Sequence, residues 1–486
     1  MIGQLKPQQE LFSYAINLEK RVRSDHPLRR VQERVDFGFV RGEVEHLYGY
    51  NGNESVPPEV ILKLLFLLFF DDIASERELM RMLPERLDYL WFLGYEIDDE
   101  VPDHSVLSKA RARWGREVFE SFFLRVVGQC VAAGLVEGRT IHLDGSLIDA
   151  NASTSSVLKA GPELIAHLKR IYGAQDAKLT EKVVDQAYER SNRRLVSKSD
   201  PDAPVVRKGK GGPRPRYKNH RAVDNAHGVI TALETTPGDV EENAKLMDLV
   251  EQHEANTGIR VGTVVADRQY GTMENFRECR KRGLRSHMAD LQIPHLGKPR
   301  CQGIFGEADF VYDPESDTYR CPAGAMLRRR KHKKKRRCFE YLGDRQTCRD
   351  CPIRSLCTRS QTVRTIKRHE DQEAIDQARE QSHSREARRD RRRRRFLMEG
   401  SFADAANNHG FKRARWRRLW RQQIQDYLIA LIQNVRILLR YPRLNPAVSL
   451  VQPVSGPFNR CFLVCKAEFR AIATLLDGSR LELLPD

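Results

Sequence analysis

Three carboxylates have the type and setting to do chemistry: Asp144 in RTIHLDGSLIDA, Asp267 closing IRVGTVVADRQYG, and Glu399 in RFLMEGSFADAANNHGF. Asp144 sits in an alternating apolar pattern with β-branched residues, so a strand is expected there. A carboxylate buried on such a strand is costly unless a cation or hydrogen bonds offset it. Asp267 ends a second apolar run that reads as a buried strand, and acids at strand ends are well placed to converge at one edge of a sheet. Two converging acids suit Mg²⁺, a hard ion that takes oxygen ligands and leaves positions open for water and phosphate. Glu399 is the best candidate for a third acid. Such a set supports in-line displacement at phosphorus without a covalent enzyme nucleophile. Taken singly, each acid also fits a salt bridge or a helix cap, and spacing alone does not decide between these readings.

The elements that must position these acids can be read in part. Helices are expected from near Ser55, where Pro57, Pro58 and Glu59 suit a first turn. ASERELMRML and DHSVLSKARARW form a helical pair, capped at Asp103 or Ser105, that fits a helix-turn-helix with Lys109, Arg111 and Arg113 facing DNA. A sheet domain begins near Gly138. After a helical stretch, SKSDPDAPVVRKGKGGPRPR reads as an exposed cationic loop, and RYKNHRAVDNAHGVITALETTPG as a hairpin turning at 225–228. A helix from about Glu242 to Glu254, the Asp267 strand, a further helix and the short strand LRSHM follow. Residues from about 290 to 395 break this plan and read as an insertion. Ile424, Tyr427, Leu428, Leu431, Val435 and Leu438 recur at helical spacing, as expected of a helix packed on the sheet.

The chain has 486 residues, enough for two or three structural units, and a net charge of +17 that suits a polyanionic partner. The run from Val60 to Phe70 is about half the length of a membrane span. The amino terminus lacks the features of a secretory signal, so a cytoplasmic address is expected and no membrane partner. Cys321, Cys338, Cys348, Cys351 and Cys357 fall close together, and a CRDC pair has zinc-knuckle spacing, so four of the five would satisfy structural Zn²⁺. Reduced cysteines in a small core are the alternative.

The motifs HLDGSLIDANAS, YKNHRAVD, VVADRQYG and RFLMEGSFADAANNHGFKRARWR together resemble the DDE transposases of bacterial insertion sequences, in the branch with a helical amino-terminal domain. The resemblance spans roughly residues 40 to 440. It implies an α/β, RNase H-like mixed sheet flanked by helices. An all-helical domain over 1–130 would precede a catalytic domain over 138–440, with the basic cysteine-containing insertion at about 292–390. A tail over 441–486 has no assigned role. It also implies Mg²⁺ dependence, with Mn²⁺ as a substitute, and Asp144, Asp267 and Glu399 as the catalytic and metal-binding acids. Glu399 would lie on a helix beside Arg395.

Many relatives carry a lysine seven residues after the glutamate, where this chain has Ala406, so Arg413 and Arg415 are the candidates to supply charge to a phosphate. Asp149 and Asp404 read as structural, His409 stays open, and Asp390 suits charge balance within RRDRRRRR. That run and RRRKHKKKRR suit DNA phosphates. The expected activity is cleavage at the ends of an element and transfer of the 3′-hydroxyl into target DNA, with double-stranded DNA as partner and a homo-oligomer assembled on it. A hydrolytic nuclease of the same fold, a DNA-binding regulator without turnover and a zinc-binding module are the rivals. The first two differ from a transposase in their products, and the third leaves Asp144 and Asp267 unexplained.

Overall fold

The computed structural model describes residues 17–49, 55–177, 195–207, 209, 211–289, 303–334 and 337–441. The tail beyond 441, with Cys461 and Cys465, lies outside them.

The amino-terminal part is helical: α1 (Leu18–Arg21), α2 (Pro27–Arg34), α3 (Phe39–Val44), α4 (Pro58–Phe70), α5 (Glu76–Met82), α6 (Leu87–Leu93), α7 (Ser105–Trp114) and α8 (Glu117–Ala132). Three short helices thus precede the expected start near Ser55. Helix α4 is apolar on nearly every side, as a central helix must be, and its residues from Ile61 to Phe70 are buried except Lys63. Asp103 accepts the Ser105 N–H at 2.8 Å, but the residue that caps α7 is His104, one position from either expected cap. The expected helix-turn-helix is corrected: α6 stands between α5 and α7, so the two are not consecutive.

The sheet begins with β1 (Thr140–Asp149). A side ribbon of β2 (Val157–Lys159) and β3 (Leu195–Ser197) brackets α9 (Pro162–Ala177). β4 (Val205–Val206), β5 (Arg214–Asp224), β6 (Ile230–Pro237), α10 (Leu246–Thr257), β7 (Thr263–Val265), α11 (Met273–Arg282) and β8 (Arg285–Ser286) follow. The main order is β6-β5-β1-β7-β8, with β4 on the start of β5. β6, β5 and β1 are antiparallel, whereas β1, β7 and β8 are parallel. A three-strand meander extended by two parallel strands is the RNase H-like mixed sheet. The segment expected as an exposed loop is partly interior, because Ser197, Asp200 and Ala203 are buried.

The insertion folds as an antiparallel sheet of its own from β9 (Val311–Asp313), β10 (Thr318–Arg320), β11 (Met326–Lys333), β12 (Cys338–Leu342) and β13 (Thr365–His369), with α12 (Arg345–Arg349) and α13 (Arg354–Cys357). Phe310, Tyr319, Leu327, Tyr341 and Ile366 form its core. Helix α14 (Gln372–His383) already packs on the main sheet, where Gln381 accepts the Ser286 N–H at 3.1 Å. The insertion therefore ends near residue 371 rather than 390. Helices α15 (Arg385–Asn408) and α16 (Leu419–Arg440) complete the fold.

One core joins residues of α4, α8 and α16 to Val223, Ile230 and Leu233 of the sheet, so the helical part and the sheet share an interior. A second core lies between the other sheet face and α10 and α11.

Candidate active site

Alternation along β1 sends Ile141 and Leu143 into the core beside α10 and leaves Asp144 on the side of α15. One oxygen of Asp144 accepts from Arg394 at 2.8 Å and the other accepts the Gly145 N–H at 2.8 Å. Burial pushes the Asp144 carboxyl up; Arg394 opposes this and the charge of Asp267 adds to it. Asp267 follows β7, the parallel neighbour of β1, and caps a short turn by accepting the Gln269 N–H at 2.7 Å. The two acids therefore share one edge of the sheet and sense each other's charge.

Helix α15 crosses the sheet strand by strand. Glu386 meets Arg285 at 3.1 Å, Asp390 meets His287 at 2.8 Å, Arg394 meets Asp144, and Ser401 accepts from Arg221 at 3.0 Å. Arg393 donates to Asn225, whose own N–H bonds Thr140, so that flank of the helix faces the beginning of β1. At about 100° per residue, Arg395 and Glu399 lie on the opposite flank, toward the end of β1. Both are exposed. Among the described residues, no three acidic, histidine or cysteine side chains stand close enough to hold a metal ion. The donors along this edge are nonetheless all oxygens, and a fully buried Tyr270 hydroxyl there has no hydrogen-bond partner. This chemistry fits a hard divalent ion.

Arg221 is a residue that sequence reasoning missed. It pairs in register with Asp144, is fully buried, and donates to Asn219 at 2.7 Å and Gln433 at 2.9 Å as well as Ser401. Its guanidinium lies over Phe402 and Phe411, and burial lowers its pKa to about 10. It fastens α15 and α16 to β5, the strand paired with the one that carries Asp144. An arginine amid the apolar positions of YKNHRAVD was the available signal.

The candidate DNA contacts divide. Lys109, Arg113, Arg395 and Arg413 are exposed. Arg111 is corrected: it is buried, paired with Glu76 and stacked 3.9 Å over Trp416. Arg415 is likewise largely enclosed, bonded to Asp72 at 2.8 Å and to the Ile73 carbonyl. Both arginines join the helical part to the segment after α15. Lys109, Arg417 and Arg421 line the groove beside them. The two cationic runs are folded, RRRKHK within β11 and RRDRRRRR within α15.

Asp149 is paired with Arg216 at 2.7 Å, Asp404 accepts from Gln433 at 2.7 Å, and His409 is buried against the Phe69 carbonyl. The cysteines separate by the register of the insertion sheet. Cys338 starts β12 opposite His369, whereas Gly343, just past the other end of β12, lies against the Cys348 sulfur. Five residues of strand keep Cys338 about 13 Å or more from that end, which corrects its place among the candidate ligands. Burial raises the Cys357 thiol, and the nearby Cys321, Cys348 and Cys351 raise it further.

A mixed RNase H-like sheet with paired acids at one edge defines a class of enzymes that act on phosphodiester bonds. Two family models place the chain within it: "Transposase domain (DUF772)" matches residues 16–113 and "Transposase DDE domain" matches residues 320–439. The chain carries both domains and is a transposase of the DDE type, a family whose chemistry implies a divalent metal ion. Asp144 and Asp267 lie between the two matches and Glu399 within the second. A comparison with curated proteins finds no match. Among solved structures, the Mos1 transposase paired-end complex with left transposon end shows 12% identity over 55% of this chain and 70% of that one, with a TM-score of 0.16. The piggyBac transposase synaptic complex with hairpin DNA shows 10% identity over 90% of this chain and 84% of that one, with a TM-score of 0.25. A Mos1 mariner paired-end complex with Mn shows 13% identity over 55% and 70%, with a TM-score of 0.15.

Proposed function

We propose that this transposase cuts DNA at the ends of its element and joins the liberated 3′-hydroxyl to target DNA, with Asp144, Asp267 and Glu399 as the catalytic acids. The observation that carries this reading is the placement of Asp144 on β1 and Asp267 just past its parallel neighbour β7, at a sheet edge to which Arg394 ties the helix that bears Glu399. Mg²⁺, with Mn²⁺ as a substitute, would be held by these acids; when bound, it supplies activation of the attacking hydroxyl and charge stabilisation of the leaving oxygen. Arg394 holds Asp144 in place, and Arg221 fixes the helix above it. Arg395 stands one turn before Glu399, where it can meet a phosphate. Double-stranded DNA would run across the exposed cations Lys109, Arg113, Arg413 and Arg417, which fix register rather than read sequence.

Two copies of the chain would assemble on two element ends, since both ends must meet one target. Among the described residues no helix is long and apolar enough to cross a membrane, which suits an enzyme working on chromosomal DNA in a bacterial cytoplasm. Structural Zn²⁺ on Cys321, Cys348, Cys351 and Cys357 would have to draw together thiols that do not stand within metal-holding distance of one another, at the end of the insertion sheet where the Cys348 sulfur lies against Gly343.

The test is Mg²⁺-dependent cleavage and joining of labelled element ends by wild type, Asp144→Asn, Asp267→Asn and Glu399→Gln. Joined products that every substitution abolishes, while DNA binding persists, are expected. Cleavage without joining would make the enzyme a nuclease instead. Turnover that survives any one substitution would remove that acid from the site.

A further inference from the structure

A fourth carboxylate lies where the sequence offers no motif. Glu242 opens the short turn before α10 and is mostly buried. Its side chain lies directly on the backbone beside Asp144: a Cβ added to Gly145 would stand 2.8 Å from its Cγ and 3.1 Å from its Oε1. Any side chain at 145 would have to push Glu242 aside. Burial raises the Glu242 carboxyl, Lys218 opposes this, and the charges of Asp144 and Asp267 both reach it.

A second observation comes from Tyr270. Its ring is fully buried, its hydroxyl has no hydrogen-bond partner, and the charges of Glu242, Asp144 and Asp267 all bear on it. An unpaired buried hydroxyl is expensive, and a hydrated cation among these acids would provide its missing partner. The turns carrying the two residues are tied together, because Asn275 Nδ2 donates to the Asn243 carbonyl at 3.0 Å and to the Tyr270 carbonyl at 2.9 Å. Glu242 is therefore positioned relative to Asp267 by a rigid link as well as by Gly145. Lys218, its ion-pair partner at 3.5 Å, makes its closer bond to the Val240 carbonyl at 2.9 Å.

We propose that Glu242 is a fourth acid of the active site and acts through water, as an outer partner, on the divalent ion held by Asp144 and Asp267. This rests on the assignment of those two acids made above. Outer partners of a metal site typically account for about ten- to hundredfold in affinity, and a loss of that size is expected here.

The experiment is direct Mn²⁺ binding to the full chain without DNA, read by electron paramagnetic resonance, with thermal melting of the metal-free protein as the check on folding. Glu242→Gln should weaken Mn²⁺ binding by about ten- to hundredfold. Lys218→Met, which removes the counterion but keeps the acid, should not weaken it. Wild-type affinity in Glu242→Gln, or an equal loss in Lys218→Met, would overturn the proposal and leave Glu242 as the partner of Lys218. If Glu242→Gln melts below the assay temperature, Glu242→Asp carries the test, since it keeps the charge but withdraws it by one carbon; unchanged affinity there is equally fatal. Asp144→Asn separates the two levels. If it binds Mn²⁺ as wild type does, the underlying assignment fails, whereas a loss there beside an unaffected Glu242→Gln sinks the fourth acid alone.

Discussion

Arg394 donates to Asp144 at 2.8 Å from the same helix that bears Glu399, so one ion pair ties that helix to β1. Both partners are largely withdrawn from solvent, with side chains 15% and 24% exposed. Arg394→Met leaves a half-buried carboxylate without its counterion and should destabilise the metal-free protein by about 1–3 kcal/mol. Ca²⁺ should then stabilise the variant more than wild type, because the ion no longer competes with a guanidinium. Urea unfolding with and without Ca²⁺ measures both effects; equal Ca²⁺ stabilisation of the two proteins would show that Arg394 and the ion do not share Asp144.

The burial of Arg111 and Arg415 separates cations that hold the fold from cations free to meet DNA. Lys109→Ala, Arg113→Ala and Arg417→Ala should each weaken DNA binding across all sequences and reduce the slope of log affinity against log salt by about one. Arg111→Ala should instead lower stability by about 3–5 kcal/mol by leaving Glu76 enclosed and unpaired. Fluorescence anisotropy over a salt series, beside thermal melts, distinguishes the groups. An unaltered salt slope in Arg417→Ala would take the groove off the DNA path.

Asp200 is fully buried, with its pKa raised to about 7 by burial and next by Asp202, while Tyr217 donates to it at 2.7 Å. A carboxyl whose folded pKa lies above its unfolded value near 4 binds more protons in the native state through that interval. Its contribution is fully present below about pH 4 and is lost as pH rises through about 7. Asp200→Asn should therefore flatten the fall in stability over that window. Denaturant midpoints between pH 4 and 8 report it, and identical profiles for variant and wild type would refute the assignment.

The insertion offers a separable test. Protein purified under reducing conditions and dialysed should retain about one zinc per chain. Cys351→Ser should lose it, and Cys338→Ser should keep it, because Cys338 lies at the far end of β12. Elemental analysis decides the matter: a zinc-free wild type, or retention in Cys351→Ser, would leave the four thiols as reduced core residues.

The limits of legibility follow from the range of each interaction. The hairpin turning at 225–228, the strand of Asp144 and the helix of Leu428 and Leu431 are visible in periodicity, because each is set by neighbours within a few positions. Helix α6 hid between two better patterns, and β4 has only two residues, too few for any period to register. In the insertion, dense positive charge suggested a partner for DNA phosphates but no regular element, yet β11 is paired on both sides and keeps its cations exposed along the strand.

Sequence alone made legible the strands of Asp144 and Asp267 and the basic character of the chain, since side-chain chemistry and the twofold and 3.6-fold periods are local properties. Tertiary structure alone decided which cations are interior and which side chains stand beside the strand of Asp144. Arg111 is enclosed by Glu76 and Trp416, Arg221 by Ser401 and Gln433, and Glu242 lies against Gly145, the neighbour of Asp144, nearly a hundred positions away. Such contacts depend on how distant segments pack, where a buried charge must find whatever partner the fold brings to it.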